Sequence, residues 1–146
     1  PEAELFIVGH SPVPELVAAG KRPGVTVTGF VEDVRPYLDR AAVFAAPLRF
    51  GAGIQNKVLE AMAMEVPVVA TPLAADGLNT EHGARPPVKL AQPADEFARL
   101  INAELDARAR NLAPDTAARE YILQHFVWPA IGERLRAVLC TTVKGA

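Results

Sequence analysis

Short apolar runs that stop at a glycine or a proline alternate with stretches of helical spacing, and this alternation restricts the fold most. The runs are Leu5–Val8, Val25–Thr28, Val43–Ala46, Val66–Ala70 and a weaker one over Val88–Leu90. Because they are short and not interrupted by polar residues, we expect strands that are buried on both faces. Strands of this kind, separated by helices, predict an α/β fold with a Rossmann-like parallel sheet and helices on both of its faces.

Helices are expected between these runs and after them. They are predicted over Pro12–Ala19, Asp33–Ala41, Ile54–Met64, Phe97–Leu105 and Asp115–His125, and from Trp128 to Val138. Asp33 is a candidate N-cap residue, and residues 71–87, rich in Gly, Asp and Asn, are predicted to form a loop. Since ligands of parallel sheets bind beyond the carboxyl ends of the strands, the loops after Val8, Thr28, Ala46 and Ala70 are the candidate site.

Composition excludes several classes of function. A length of 146 residues predicts a single domain over 1–146. A net charge of −2 gives no basic footprint, so no nucleic-acid partner is expected. The single Cys140 excludes an internal disulfide and favours a reducing, cytoplasmic compartment. No apolar run reaches the roughly 18–20 residues of a membrane span, and Asp33, His82 and His125 form no metal-binding pattern.

The segment from Pro47 to Val69 carries the most information about function. Gly51 and Gly53 lie between a predicted strand and a predicted helix. Glycines there allow close approach of the backbone to a ligand, and a helix N-terminus favours an anion. A phosphate bound by the amides of Gly53, Ile54 and Gln55 is one interpretation. The alternative is a tight turn that needs a positive φ, and the glycines alone favour this alternative.

The predicted helix after this loop has two distinct sides. Ile54, Val58, Met62 and Val66 recur every four residues and predict its buried stripe. Lys57 and Glu60 project from the other side. Glu60 is placed to accept hydrogen bonds from ribose hydroxyls, whereas the alternative is a solvated Lys57–Glu60 ion pair worth about 0.2–0.5 kcal/mol.

The segment Gly-Ala-Gly-Ile-Gln-Asn-Lys-Val-Leu-Glu-Ala-Met-Ala, followed by Val-Pro-Val-Val-Ala-Thr, resembles the donor-binding signature of retaining GT-B glycosyltransferases of group 1, or family four. Leu5–Gly9, the segment from Val25 to Leu38, and Trp128 resemble other parts of that family. The resemblance implies that the chain is the C-terminal, donor-binding domain of a two-domain enzyme. The Asn-Lys variant is most similar to bacterial sugar transferases of exopolysaccharide and exosortase systems.

The resemblance also implies roles for individual residues. Glu60 matches the second Glu of the family's Glu-x7-Glu motif, which binds ribose, and the amides of Gly53, Ile54 and Gln55 match those that hold the diphosphate. Phe30 and Val31 match the loop that borders the base, and His10 lines the same cleft or is a solvated loop residue. The donor-binding residues expected in all are Gly51, Gly53, Ile54, Gln55, Asn56, Lys57, Glu60, Phe30, Val31 and His10.

Three departures from the family pattern limit what it implies. Ala52 stands where the first Glu of the motif would contact the donor hexose. Glu65 stands where the family usually has a Gly that permits positive φ, so it either strains this turn or makes the turn in another way. The family's first strand, with its Arg and Lys, would precede Pro1, so we expect the chain to be a piece of a longer protein. Because this piece lacks the strand, its sheet is expected to expose an unpaired edge through which the piece self-associates.

The sequence therefore predicts the donor half of a glycosyltransferase. The donor is a nucleotide-diphosphate sugar, with UDP favoured and GDP as the competitor, and no metal or other cofactor is expected. The acceptor, a glycan or a lipid-linked sugar, and any catalytic residue would belong to an N-terminal domain outside this chain, so the chain alone is expected to be inactive. The full-length protein is expected in the cytoplasm, peripheral to the inner face of the membrane. Two alternatives stay open: a nucleotide-sugar 2-epimerase of the same fold, and a non-catalytic binding module favoured by Ala52.

Overall fold

The computed structural model of the chain describes residues 3–80, 83–110 and 116–143. The chain divides into two compact units, Pro1–Ala41 (unit 1) and Ala42–Ala146 (unit 2). All strand pairs between described residues are parallel, as the sequence predicts.

Unit 1 is a β-α-β-α segment whose elements are β1 (Leu5–Val8), α1 (Pro14–Ala19), β2 (Val25–Gly29) and α2 (Arg35–Arg40). Strand β1 pairs with β2 in parallel. Helix α1 ends at Gly20, where an added Cβ would lie 3.0 Å from a methyl of Val27, so α1 packs closely on β2. Helix α2 buries Leu38 and places Tyr37 against Phe6 of β1, with ring centroids 6.0 Å apart.

Asp33 does not cap α2 in the way that the sequence predicts. The helix begins two residues later, at Arg35, and Val34 is its N-cap residue. Instead, Asp33 Oδ1 accepts hydrogen bonds from the backbone N–H and the Nε of Arg35, both at 2.9 Å. The side-chain bond, and then the backbone bond, lower the pKa of Asp33. The carboxylate is therefore held in the turn before the helix, because Pro36 in the first turn sets where the helix starts.

Unit 2 begins with two strand-helix pairs and ends with three helices. Its elements are β3 (Phe44–Ala46), α3 (Asn56–Ala63), β4 (Val68–Ala70), α4 (Pro72–Asp76), β5 (Lys89–Leu90), α5 (Ala94–Ala109), α6 (Ala117–His125) and α7 (Trp128–Val143). The strand order is β3-β4-β5. Helix α3 lies against β3, β4 and α6, while α4 and α5 lie against β4.

Strand β4 is the centre of unit 2, and both of its faces are covered. Val69 is fully buried and forms a cluster with Ala91 and with Phe97 of α5. Val68 and Ala70 alternate with Val69 and therefore point to the opposite face, where they are also buried. The prediction of a strand buried on both faces is thus confirmed for β4, but it is wrong for β1, where Leu5 and Phe6 are exposed, and for β5, where Leu90 is exposed.

The structure differs from the sequence prediction in the segment after β4 and in the exposure of α7. The predicted loop 71–87 contains the short helix α4, which begins with Thr71 as its N-cap residue and Pro72 after it. In α7 the predicted helical spacing is correct, but most of its apolar side chains are exposed, with Trp128 at 84% and Leu135 at 59%. The predicted helix start at Asp115, and His82, lie outside the described residues. Among the helices that the structure describes, none has the length and apolar character to cross a membrane.

Glu65 adopts the backbone conformation that the family pattern reserves for glycine. Its φ is +59°, in the left-handed region. Helix α3 ends there because Glu65 N–H donates to Met62 O and Val66 N–H to Ala61 O, both at 3.0 Å, which is the Schellman arrangement. The Glu65 carboxylate lies 3.3 Å from Arg119 Nη1 of α6. Glu65 therefore makes this turn with a positive φ although it is not a glycine.

Glu65→Gly is expected to be more stable than Glu65→Ala by about 0.5–1 kcal/mol. Both variants lose the partly exposed pair with Arg119, which contributes about 0–1 kcal/mol. Only alanine keeps the left-handed strain of about 1–2 kcal/mol, which the unfolded-state freedom of glycine offsets in part. Urea unfolding of both variants measures the difference, and equal stability would contradict the strain.

Candidate functional site

The loop between β3 and α3 carries the glycines that the sequence singles out. Gly51 has a φ of +131° and Gly53 a φ of +73°, both in the range that disfavours a side chain. The side chains of this loop, from Arg49 to Ile54, are exposed. Since the glycine conformations are as the turn interpretation requires, the turn and the ligand interpretations agree on the geometry and differ only in what the loop binds.

No side chain in the described part of the chain caps the N-terminus of α3. The helix begins at Asn56 rather than at the predicted Ile54, and the N-cap residue Gln55 makes no side-chain cap. Gln55 turns its side-chain amide back to the loop, with Nε2 3.3 Å from Gly53 O. Because α3 has neither a side-chain cap nor an acidic residue in its first turn, its N-terminal positive potential is not offset by the helix itself.

Five consecutive backbone amides at this helix start have no acceptor among the residues that the structure describes. Among the described residues, the backbone N–H groups of Gly53, Ile54, Gln55, Asn56 and Lys57 donate no hydrogen bond. The next amide, that of Val58, donates to Gln55 O at 2.9 Å. Since unpaired amides at a helix N-terminus are a ready site for an anion, this run is the strongest ligand-binding feature of unit 2.

Glu60 lies one turn further along α3, about 6 Å from Asn56 at 1.5 Å per residue. Its side chain is exposed, and its carboxylate makes no hydrogen bond or ion pair with a described residue. In particular, the alternative ion pair with Lys57 is not formed within 4 Å, although both residues are described. Glu60 is therefore free to accept hydrogen bonds from a ligand.

The buried side of α3 holds these groups in place. Val58, Ala61 and Met62 have no exposed surface, and Val66 is 4% exposed. Ile54, predicted in the same stripe, is 54% exposed instead. The reason is that α3 starts at Asn56, so Ile54 belongs to the loop and does not follow the helical period.

Helix α4, which sequence reasoning missed, supports the start of the loop. Thr71 Oγ1 donates to Leu48 O at 2.8 Å and accepts from Ala74 N–H at 3.3 Å. The side chain of Thr71 is thus both the cap of α4 and a tether of the loop. Thr71-Pro72 with Gly77 five residues further on is a helix start and stop signal that could have predicted α4.

Of the three candidate residues in unit 1, His10 and Phe30 lie side by side. Gly9 N–H donates to Gly29 O at 3.2 Å, so the loops after β1 and β2 start side by side. The rings of His10 and Phe30 are 6.2 Å apart in an edge-to-face arrangement, and Ser11 Oγ lies 2.5 Å from His10 Nδ1. Phe30 is 70% exposed and leaves a ring surface open, while Val31 is half-buried.

No group of three or more His, Cys, Asp or Glu side chains suited to a metal ion occurs among residues 3–80, 83–110 and 116–143. Arg49 and Lys57 are the cations of the β3–α3 loop and helix start, and neither has an acidic partner within 4 Å in the described part of the chain. The site of unit 2 is therefore an amide run flanked by two unpaired cations, with Glu60 as its carboxylate.

Comparison with known proteins identifies a family and a fold. The family described as "Glycosyl transferases group 1" matches residues 1–106, whereas no curated protein sequence matches the chain. The structure is similar to that of Anabaena Alr3699/HepE in complex with UDP, with a TM-score of 0.75 and 19% identity over 97% of this chain and 42% of that one.

Two further solved structures are similar. The complex of Anabaena Alr3699/HepE with UDP-glucose gives a TM-score of 0.66 at 19% identity, again over 97% of this chain and 42% of that one. TarM gives 0.66 at 17% identity over 91% of this chain and 28% of that one. The chain thus spans about two-fifths of the length of HepE. The predicted α/β fold, that of the C-terminal domain of a GT-B glycosyltransferase, is confirmed.

Proposed function

We propose that this chain, which belongs to the group 1 family of glycosyl transferases, is the donor-binding part of an enzyme that moves a hexose from a nucleotide-diphosphate sugar to an acceptor hydroxyl. The proposal includes retention of the anomeric configuration and a role in bacterial polysaccharide or glycoconjugate biosynthesis. It also places the full-length protein in the cytoplasm, peripheral to the inner face of the membrane. The acceptor, a glycan or lipid-linked sugar, is proposed to bind outside this chain.

The observation that carries this proposal is the run of free amides from Gly53 to Lys57. A diphosphate placed there would accept hydrogen bonds from the loop and face the positive end of the α3 dipole. As the bond to the sugar breaks, negative charge develops on the leaving phosphate. Donors that are already oriented toward that charge stabilise the transition state, and Arg49 and Lys57 add unpaired positive charge. We propose that these groups do this without a metal.

The nucleoside is proposed to be held by its ribose on Glu60. A free, exposed carboxylate one turn from the phosphate-binding amides matches the short separation of ribose and diphosphate in a nucleotide. UDP is the favoured nucleotide because similar structures contain UDP or UDP-glucose. In unit 1, the exposed ring of Phe30 beside His10 supports the proposal that Phe30, Val31 and His10 contact a nucleotide base.

Calorimetric titration of the chain with UDP and with GDP tests the proposal. We expect saturable binding of UDP and weaker binding of GDP. Absence of binding to both nucleotides would contradict the proposed donor site in this chain.

One observation favours a second candidate, a nucleotide-sugar-binding module without transfer activity. Ala52 provides no carboxylate at the position where the family contacts the donor hexose, and its side chain is exposed in the loop. The two candidates are separated by incubating the longer protein with UDP-glucose and acceptor glycans. Release of UDP with formation of a glycoside supports the transferase, and binding without turnover supports the module.

A further inference from the structure

Gly77, the residue that follows α4, lies against the backbone of the β3–α3 loop. A Cβ added to Gly77 would lie 2.5 Å from the carbonyl carbon of Gly53 and 2.9 Å from the backbone N of Ile54, and closer still to Gly53 O. Real Cβ atoms do not approach other atoms so closely, so a larger residue forces a movement. The φ of Gly77 is −67°, which any residue adopts. The requirement for glycine therefore comes from this contact and not from the backbone conformation.

The loop, rather than α4, has room to move. Ala74 in α4 and Leu78 directly after Gly77 are fully buried. Leu78 O accepts a hydrogen bond of 2.6 Å from Tyr121 Oη of α6, which fixes the chain directly after Gly77. By contrast, Gly53 and Ile54 are exposed. A Cβ at position 77 is therefore expected to displace the amides of Gly53 and Ile54.

Helix α4 contacts the loop at both of its ends. At its start the Thr71 hydroxyl binds Leu48 O at 2.8 Å, and at its end Gly77 touches Gly53 and Ile54. The loop is thus supported near its start, at Leu48, and at the residues that open the run of free amides.

We propose that Gly77 is a positioning residue that sets the place of the Gly53 and Ile54 amides, and through them the affinity of the chain for the diphosphate of its ligand. This inference depends on the proposed function. Gly77 lies outside the loop and outside α3, and α4, which precedes it, holds the loop in place.

The test compares UDP with uridine, which lacks the phosphates, in calorimetric titrations of the chain and of Gly77→Ala. We expect Gly77→Ala to bind UDP about 10-fold more weakly and uridine unchanged, so that the preference for UDP over uridine falls by the same factor. Partial unfolding of the variant would lower the apparent affinity for UDP and for uridine by the same factor, and the ratio of the two affinities would stay unchanged. The control is Gly132→Ala in α7, where an added Cβ meets nothing within 4 Å.

A second pair of variants keeps the inference testable if Gly77→Ala does not fold. Thr71→Val removes the hydroxyl that holds Leu48 O, whereas Thr71→Ser retains it. We expect the preference for UDP to fall in the valine variant and to be kept in the serine variant. An unchanged preference in Gly77→Ala, or in Thr71→Val, would overturn the positioning role. A wild-type chain that binds UDP no better than uridine would instead overturn the proposed function, and this inference with it.

Discussion

Glu60→Gln is expected to weaken UDP binding by about 10- to 100-fold. The carboxylate is exposed and has no partner among the described residues, so its hydrogen-bonding capacity is available to the two ribose hydroxyls. A hydrogen bond to a charged group contributes about 1.5–3 kcal/mol, and 1.4 kcal/mol corresponds to a factor of ten. Calorimetry with UDP measures the loss, with Glu133→Gln on the exposed surface of α7 as the matched control.

A nucleotide that lacks the 2′-hydroxyl of the ribose provides a second test of the role of Glu60. With 2′-deoxy-UDP, the wild-type chain is expected to lose affinity, whereas Glu60→Gln is expected to lose much less, because the hydroxyl no longer has its carboxylate partner. If both chains lose affinity by the same factor, then Glu60 does not bind the ribose.

Tyr121→Phe is expected to lower the free energy of unfolding by about 1–3 kcal/mol at neutral pH. The hydroxyl of this buried side chain donates to Leu78 O at 2.6 Å and lies 3.1 Å from Ala84 O. Phenylalanine would leave Leu78 O without this donor in a buried place, which costs about this amount, whereas Ala84 O keeps the backbone N–H of Thr80 at 3.0 Å. Urea unfolding measures it, with Tyr37→Phe as the control, since the Tyr37 hydroxyl has no hydrogen bond to a described residue.

The same tyrosine makes the free energy of unfolding depend on pH in the alkaline range. Burial raises the pKa of Tyr121 above its ordinary value of 10.0. The folded state therefore holds this proton more tightly than the unfolded state does. The contribution of this protonated hydroxyl to the free energy of unfolding is complete below about pH 10 and decreases as the pH rises through the raised pKa. We expect the stability of the wild-type chain to fall more steeply above pH 10 than that of Tyr121→Phe. Parallel curves for the two chains would show that Tyr121 is not the group responsible.

The parallel strands and most helices could be predicted because they depend on local patterns. The runs around Val27 and Val69 contain β-branched residues and end at glycine or proline, and these signals act within a few residues. The positive φ at Glu65 was also predictable, since the family position identifies it as a helix end. The correct elements are those in which local preference and packing require the same conformation.

The errors concern features that local patterns do not determine. Ile54 continues the four-residue spacing of α3 in the sequence, yet the helix starts after it, because the loop from Gly51 to Gly53 sets the direction of the chain. Gly77 could not be identified as a loop contact, since its neighbour Gly53 lies 24 residues earlier and no spacing rule connects them. The partner of Tyr121, at Leu78, is distant in sequence for the same reason.

The central claim is that the amides from Gly53 to Lys57 bind the diphosphate of a nucleotide. Titration of the ¹⁵N-labelled chain with UDP, followed by the amide resonances of residues 53–57, tests it most directly. We predict that these five resonances shift together and saturate with UDP, and that uridine leaves them nearly unchanged. UDP binding that leaves all five in place, or no binding at millimolar UDP, would contradict the claim.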